Sequence, residues 1–395
     1  MTLIYVHEAT VPGKKARSIQ VVNTCVGLAS LGIDVNLVVE DCARQSPAEL
    51  ASFYGLQLPE NMNVTTSAPR GIMHAVRGAI HANGASSAIL FCRNLRTATR
   101  LLPLSKRAGT PIVYEAHKIA FMVVSDEARL AGLSERQARR KVLRTFRAES
   151  QVFRSARGVV CTSEAVAALA RTLFGREREV MVARNGGPEP VQPAAKYEPG
   201  SARENNGRGL RRIVYVGSLG GWKGTDTLFR ALGLLEGFQL VVVGATGENG
   251  ASDLLKTHSL PEGSVSLKGY LPPKDVMPFL GSTQFAAGAI TLPARHSAEP
   301  LFFTCPLKLF QYLAAGIPVV ASDVPALREI LRHRENAYLV TPDDPEALAE
   351  GIKTVAFDGE LALTLRSNGY ETARQHTWRE RAHKLASFLE GIAGS

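Results

Sequence analysis

Short apolar runs alternate with amphipathic stretches along almost the whole chain. Leu3–Val6 is apolar without a break, and Ser18–Leu31 then shows apolar residues at helical spacing up to Gly32. Val35–Val39 is the next predicted strand. Ala88–Cys92, Pro111–Tyr114 and Gly158–Cys161 continue the series, with helical patterns at Asn94–Ala108 and Gln137–Arg154. Runs of this length, apolar on both faces and separated by helices, predict buried strands of a parallel sheet covered on both sides.

The alternation stops between Arg184 and Gly209, where proline, glycine and polar residues replace the periodic pattern. Such a stretch reads as a linker. The pattern then restarts. Ile213–Val216, Leu240–Val243, Val265–Leu267 and Val319–Ala321 are predicted strands, and Thr225–Leu235, Lys308–Ala315, Pro325–Leu331 and Pro345–Thr354 are predicted helices. A last helix spans Trp378–Ile392. The expected organisation is two α/β domains, residues 1–190 and 210–375, joined by a linker at 191–209 and followed by a C-terminal helix within 376–395.

Composition narrows the function. The 395 residues suit two domains, and 45% apolar with 21% charged residues is ordinary for globular cores. The net charge of +10 favours an anionic partner. Nucleic acid is not expected, because no aromatic–basic recognition motif accompanies the charge. Cys25, Cys42, Cys92, Cys161 and Cys305 form no C-x-x-C pair, which argues against zinc and for buried free thiols in a reducing compartment. No run is long enough to span a membrane, and Met1–Glu8 lacks the basic start and long apolar stretch of a signal peptide. A cytoplasmic protein is expected.

Four segments carry candidate chemistry. Val216–Gly224 is a glycine-rich turn between a strand and a helix, where backbone N–H groups meet an anion and Lys223 adds a charge. Thr304–Ser322 places Pro306 at the first turn of a helix and Gly316 past its end, with Lys308 and Gln311 three residues apart near one face. In Val113–His117 a strand end carries a histidine into the loops. The Arg136–Arg157 stretch is strongly basic, with Val142, Leu143, Phe146 and Phe153 on an apolar side. It reads either as a face for anionic membrane or as an ordinary solvated helix.

Taken in order, these segments resemble the retaining GT-B glycosyltransferases of family 4. The resemblance rests on Tyr114-Glu115-x-His117, Asn185-Gly186, Gly217-x-Leu219 with Lys223-Gly224, the Pro306–Tyr312 helix, Asn336–Val340 and Thr377–Ala382. It implies two Rossmann-like domains facing each other across a cleft, with the C-terminal helix crossing back to the first. A UDP- or GDP-sugar would bind the second domain as co-substrate, and a glycan, lipid-linked or small-molecule acceptor would bind the first. No metal and no obligatory cofactor are implied. Lys223 would neutralise the donor diphosphate, joined by Ser218, Lys308 and the amides at Pro306 and Leu307. Gly13 would approach the diphosphate from the first domain, Tyr270 and Leu271 would contact the base, and His117 would face the transferred sugar. Arg17 and Arg93 fall on the acceptor side.

Two positions depart from the family pattern. Ser218 stands where many relatives carry an arginine, and the paired glutamates eight residues apart are replaced by Phe303 and Gln311. Glu299 would supply a carboxylate in a rearranged loop. The leading expectation is a polysaccharide- or glycolipid-building glycosyltransferase, peripheral at the inner face of a membrane. The alternatives are a catalytically degenerate GT-B scaffold and a GT-B sugar-nucleotide epimerase. A Rossmann dehydrogenase is not expected, since His7–Gly13 lacks G-x-G-x-x-G.

Overall fold

The computed structural model describes residues 1–40, 46–68, 71–177, 179–190, 210–220, 223–244, 257–258, 260–294 and 298–394. Cys42, Gly221, Trp222 and the predicted linker at 191–209 lie outside the described residues. The chain divides into two compact units. The first takes Met1–Gly186, the short segment Phe303–Cys305 and the C-terminal stretch from Trp378. The second takes Gly187–Phe302 and Pro306–Thr377.

The first unit is built on a seven-stranded parallel sheet. Its strands are β1 (Thr2–His7), β2 (Asp34–Glu40), β3 (Met62–Ser67), β4 (Ala88–Cys92), β5 (Ile112–Ala116), β6 (Gly158–Cys161) and β7 (Val180–Val182). They lie in the order β3-β2-β1-β4-β5-β6-β7. The helices between them are α1 (Ala16–Ser30), α2 (Pro47–Tyr54), α3 (Ile72–Asn83), α4 (Leu95–Ala108), α5 (Ala120–Leu130), α6 (Glu135–Ser155) and α7 (Glu164–Phe174). β1, β4 and β5 are buried at every position, as continuous apolar runs in a doubly covered sheet must be. Ser134 and Gln137 form a capping box that starts α6. The Glu149 carboxylate, on the same helix, accepts the Ala120 and Phe121 amides at 2.6 and 3.0 Å and so caps α5.

The second unit holds a six-stranded parallel sheet. Its strands are β8 (Arg211–Val216), β9 (Phe238–Val243), β10 (Val265–Gly269), β11 (Ala287–Ile290), β12 (Val319–Ser322) and β13 (Tyr338–Val340), in the order β10-β9-β8-β11-β12-β13. The helices are α8 (Thr225–Gly233), α9 (Pro273–Ser282), α10 (Leu307–Ala314), α11 (Pro325–Arg328), α12 (Pro345–Phe357) and α13 (Gly359–Arg374). A π-helical turn covers Glu299–Phe303. In both sheets the strand order reverses beside the first strand, at β1/β4 and at β8/β11. Ligands of open parallel sheets bind outside the carboxyl ends of the strands at such a switch point.

The final helix, α14 (Trp378–Ala393), belongs to the first unit. Ala382, Leu385, Leu389 and Ile392 join the core that includes Val22, Cys25 and Leu28 of α1. Each fully buried leucine of this kind contributes about 1.5–3 kcal/mol. Arg381 lies on the same buried face and forms an ion pair with Glu115 of β5, Nη2 to Oε1 at 2.6 Å.

Two expectations need correction. The helix predicted over Pro325–Leu331 is one turn, Pro325–Arg328, because Leu331 leaves the helix to pack in the core. Cys25, Cys92 and Cys161 are buried free thiols, but Cys305 is only half-buried, since it lies between the π-helical turn and α10 rather than in a strand.

Breaking a buried pair leaves an uncompensated charge, which costs about 3–5 kcal/mol. Arg381→Met should therefore destabilise the first unit by about that amount. Urea unfolding followed by circular dichroism measures it, and a loss below about 1 kcal/mol would show that α14 is held by its leucines alone.

Candidate functional site

At the carboxyl edge of the first sheet, the Glu115 carboxylate is completely buried. Four side chains from four elements donate to it. Tyr5 of β1 reaches Oε2 at 2.9 Å, and Gln20 of α1 reaches Oε1 at 2.8 Å. His117 Nε2 and Arg381 Nη2 reach the same Oε1 at 3.0 and 2.6 Å. Burial alone would push this carboxyl up, but the Arg381 guanidinium and His117 outweigh it and hold it far below the usual carboxylate range. Arg381 also donates to the carbonyls of Ala183 and Arg184 at 2.7 and 3.1 Å, so its charge is fully hydrogen-bonded.

This network fixes His117. A carboxylate only accepts, so Nε2 carries the hydrogen and Nδ1 is left as an acceptor. Burial, then the nearby Arg93, lower its pKa from 6.5 to about 4 against the opposing pull of Glu115. His7, at the end of β1, is lowered from 6.5 to about 3 by burial, then Arg93 and Arg17. Its Nε2 lies 3.4 Å from Ser18 Oγ. Gly13 is tied into the same edge, its N–H donating to Tyr54 Oη at 2.9 Å. Arg93 follows β4 directly, and its Nη1 donates to Gln20 Oε1 at 2.7 Å.

The second unit has its own constellation. Tyr312 of α10 is fully buried, and its hydroxyl accepts the Val216 N–H at 2.7 Å and donates to the Val214 carbonyl at 3.4 Å. That pins α10 against the end of β8. Gly288 on β11 makes the close approach possible, since a Cβ there would meet the Tyr312 ring at 2.6 Å. Lys308, one turn earlier on α10, lays its ammonium 3.6 Å over the Tyr215 ring. Gly217 has φ +137°, open to glycine, and a Cβ there would lie 3.4 Å from Lys308 Nζ. Lys223 Nζ donates to Ser218 Oγ at 2.5 Å, and its backbone carbonyl accepts Thr291 Oγ1 at 2.9 Å. Burial, then the charge of Lys223, push the Lys308 pKa well below its ordinary value. Burial lowers that of Lys223.

The structure thus gathers Ser218, Lys223, Lys308 and the start of α10 at Pro306 and Leu307 around the Gly217 turn. Tyr270 and Leu271 follow β10 on the same edge. Gly269 accepts the Gly244 N–H at 2.6 Å, and Gly244 in turn lies against Gly217. Gln311 is half-buried one turn into α10, Phe303 is buried, and Glu299 is half-buried at the start of the π-helical turn. In the first unit, Gly13, Arg17, Arg93 and His117 meet at the carboxyl edge of the sheet. Sequence reasoning passed over Glu115, Arg381, His7, Gln20, Tyr215 and Tyr312 as individual residues. The signal for the first was available: a carboxylate inside an apolar run requires a buried donor set. A separate depression of about 830 Å³ lies at the opposite, amino edge of the first sheet, lined by Ser87, Lys106, Arg157 and Arg176 among others. It touches none of these residues. No cluster of three or more His, Cys, Asp or Glu able to hold a metal occurs among the described residues.

Two parallel-sheet α/β units, each with its strand order reversing beside its first strand, are the make-up of the GT-B fold. Residues 18–186 match the family described as Glycosyl transferase 4-like domain, and residues 211–358 match Glycosyl transferases group 1. The chain belongs to the family-4 glycosyltransferases. It is 34% identical over 87 residues to the phosphatidyl-myo-inositol mannosyltransferase of Mycobacterium leprae, covering 22% of this chain and 23% of that one. It is 24% identical over 215 residues to the D-inositol 3-phosphate glycosyltransferase of Corynebacterium glutamicum, covering 50% of each. The matches therefore span between about a quarter and half of these relatives. Among solved structures, sucrose-phosphate synthase from Thermosynechococcus elongatus superposes with TM-score 0.77 at 18% identity, covering 100% of both chains. HepE of Anabaena in complex with UDP-glucose gives TM-score 0.71 at 19% identity, covering 99% of this chain and 100% of that one.

The two depressed histidines have a consequence for stability. Each binds fewer protons folded than unfolded, so stability is full above pH 6.5 and falls as pH drops toward about 4. Melting temperature measured from pH 7 to pH 4 should decline, and the double variant His7→Gln/His117→Gln should flatten that decline. An unchanged slope in the double variant would mean that neither imidazole is held neutral.

Proposed function

We propose that the protein transfers a glycosyl group from a nucleoside diphosphate sugar, UDP- or GDP-linked, to a sugar, lipid-linked or small-molecule acceptor, with retention of anomeric configuration and without a metal. The observation that carries this reading is the meeting of Lys223 and Lys308 at the Gly217–Ser218 turn beside the start of α10. Lys308 lays its ammonium over the Tyr215 ring with no carboxylate within ion-pair distance among the described residues, and burial, then the charge of Lys223, lower its pKa. An arriving diphosphate would offset the charge of Lys308. As the glycosyl bond breaks, negative charge grows on the leaving phosphate, and fixed lysines with helix N-terminal amides stabilise it. The leaving phosphate then accepts the acceptor hydroxyl's proton on the same face of the sugar. Tyr270 and Leu271 would border the base, and Gln311 the ribose, with Glu299 nearby in the loop. Gly13 would meet the diphosphate from the first domain, and His117 would offer Nδ1 to a hydroxyl of the transferred sugar.

A membrane-facing role for α6 completes the reading. Arg136, Arg139, Arg140, Lys141, Arg144 and Arg147 are exposed on it. Leu143, at 43%, and the neighbouring Leu130 and Leu133, at 62% and 38%, are exposed beside them. Basic residues interleaved with exposed leucines suit an anionic lipid surface. No helix among the described residues is long and apolar enough to cross a membrane, so peripheral attachment is the form proposed.

Lys223→Ala and Lys308→Met should each lower kcat by roughly 100-fold or more in a screen of nucleotide-sugars with donor hydrolysis as the minimal readout. Turnover within a few-fold of the unmodified protein for both variants would remove the lysine pair from the mechanism. Binding of nucleotide without any turnover would favour the scaffold alternative.

Each basic residue near an anionic surface contributes about 1 kcal/mol. The triple variant Arg139→Gln/Arg140→Gln/Arg144→Gln should therefore lose roughly 100-fold in partition onto phosphatidylglycerol vesicles. Equal sedimentation of both proteins, or indifference to salt, would leave α6 as an ordinary solvated face.

A further inference from the structure

We propose that Glu149 is a positioning residue for the transfer reaction: from inside α6 it holds the start of α5, and through the short link between β5 and α5 it sets where the His117 imidazole stands. This rests on the reading of His117 as the group facing the transferred sugar, and adds a residue that acts through it.

β5 ends at Ala116 and α5 begins at Ala120, so only His117, Lys118 and Ile119 join them. At one end of this link Ala116 is held in the sheet, its carbonyl accepting the Thr162 N–H at 3.1 Å. At the other end the Ala120 and Phe121 amides donate to Glu149 Oε1 and Oε2 at 2.6 and 3.0 Å. Glu149 is fully buried, and the helix that carries it is itself packed onto β5. Phe153, one turn further along α6, meets the Tyr114 ring edge to face at 5.6 Å and stacks on Phe174 of α7 at 4.5 Å. Phe146 of α6 meets Phe121 of α5 edge to face at 5.1 Å. The link is therefore tied to β5 at both ends, directly at Ala116 and through α6 at Ala120. The bond from His117 Nε2 to Glu115 at 3.0 Å orients the ring. The two ties place the backbone from which the ring hangs.

Helix capping alone does not account for Glu149. α2, α4, α6 and α7 begin with their own side-chain caps, Ser46, Asn94, Ser134 and Ser163. Such residues satisfy the first amides locally and bury no charge. At α5 the N-cap position is Ile119, fully buried and without a capping group, and the first turn holds no acid. The amides are served instead by a carboxylate 29 residues away. Burial pushes that carboxyl up from 4.5 to about 6, against the pull of the two amides and of Lys118. A carboxyl raised in this way holds its proton more tightly folded than unfolded, so its contribution to stability is lost as pH rises through about 6. What the ionised group provides at neutral pH is a fixed tie between α6 and the residue three places after His117. A carboxylate suits that task because both oxygens only accept, and two N–H groups face them.

The test uses the full chain, isotope-labelled at the histidine nitrogens, with two variants. Glu149→Gln turns one acceptor into a donor facing an N–H. Ala120→Pro leaves the helix start intact, since proline is tolerated at the first helical position after an extended residue such as Ile119, but it removes the amide of the 2.6 Å bond. The His117 signals are those missing from His117→Gln. At neutral pH the unmodified protein should show one protonated and one bare His117 ring nitrogen. In both variants the two signals should converge as the tautomers average, with the histidines of the second unit unchanged. Donor hydrolysis is followed with UDP-glucose and GDP-mannose, and nucleotide binding with UDP and GDP. In each variant kcat should fall by roughly tenfold or more, the effect of a small misplacement. KM and nucleotide affinity should stay within about threefold. Unchanged His117 signals in both variants overturn the proposal and leave Glu149 as a cap whose loss lowers only the melting temperature. An unchanged kcat overturns it too, whether or not KM rises. Should Glu149→Gln not fold, Ala120→Pro decides by the same readings. If the unmodified protein hydrolyses neither donor and binds neither nucleotide, the glycosyl-transfer reading itself has failed, and the imidazole signals alone decide whether Glu149 positions His117.

Discussion

A single buried carboxylate organises the first domain. Glu115 lies in an interior strand of a doubly covered sheet, where an isolated charge would be prohibitively costly. The chain meets that cost with donors from β1, α1, the loop after β5 and α14. Each donor thereby acquires a fixed place. Arg381 brings the last helix onto the first domain, Gln20 sets the rotation of α1, and His117 is confined to one tautomer. The fold and the candidate site are therefore one problem here, because the groups that stabilise Glu115 are the groups that shape the edge of the sheet. Buried ion pairs are weak contributors to net stability. Their value in this position is specificity: only the native arrangement places all four donors within reach of two oxygen atoms.

The second domain solves the opposite problem. Among the described residues no carboxylate neutralises Lys308, and the positive charge is stabilised by the Tyr215 ring at 3.6 Å. Tyr312 performs the mechanical task that Glu115 performs in the first domain, joining a helix to a strand end through its hydroxyl. One domain thus cancels a buried charge completely, while the other holds the Lys308 charge over an aromatic ring. The first arrangement favours rigidity. The second favours whatever anion arrives.

Much of this was legible in the sequence. Valine-rich strands such as Val35–Val39 and Val319–Ala321 were read close to their observed positions because burial on both faces leaves almost no polar position to confuse the period, Asn36 being the exception. β11 escaped notice because Ala287-Gly288-Ala289-Ile290 is built of small residues, chosen to let Tyr312 approach rather than to signal a strand. β3 escaped because Met62–Ser67 is a half-polar edge strand. α3, α5 and α7 were missed where helical periodicity is diluted by alanine and glycine or by short length. Among the candidate site residues, Lys223, Lys308 and His117 could be named from glycine turns, helix starts and strand ends. Arg381 could not, since its partner is 266 residues away and nothing local marks it.

The two departures from the family pattern acquire a physical account once the second domain is in view. The resemblance places an arginine at position 218, and Ser218 removes that cation. The serine hydroxyl instead accepts from Lys223 at 2.5 Å, orienting the lysine that remains. Lys308, in the helix that carries the resemblance, holds its ammonium against the same turn. A glutamate at 311 would stand one turn from Lys308 on the same helix, where i,i+3 side chains are neighbours and opposite charges pair. Such a pair would draw the ammonium away from the Gly217 turn and lower the positive field that a diphosphate meets. A neutral glutamine keeps hydrogen-bonding capacity for a ligand without competing for Lys308. Ser218 and Gln311 thus both leave Lys308 to the turn, the first by removing a neighbouring cation and the second by offering it no carboxylate.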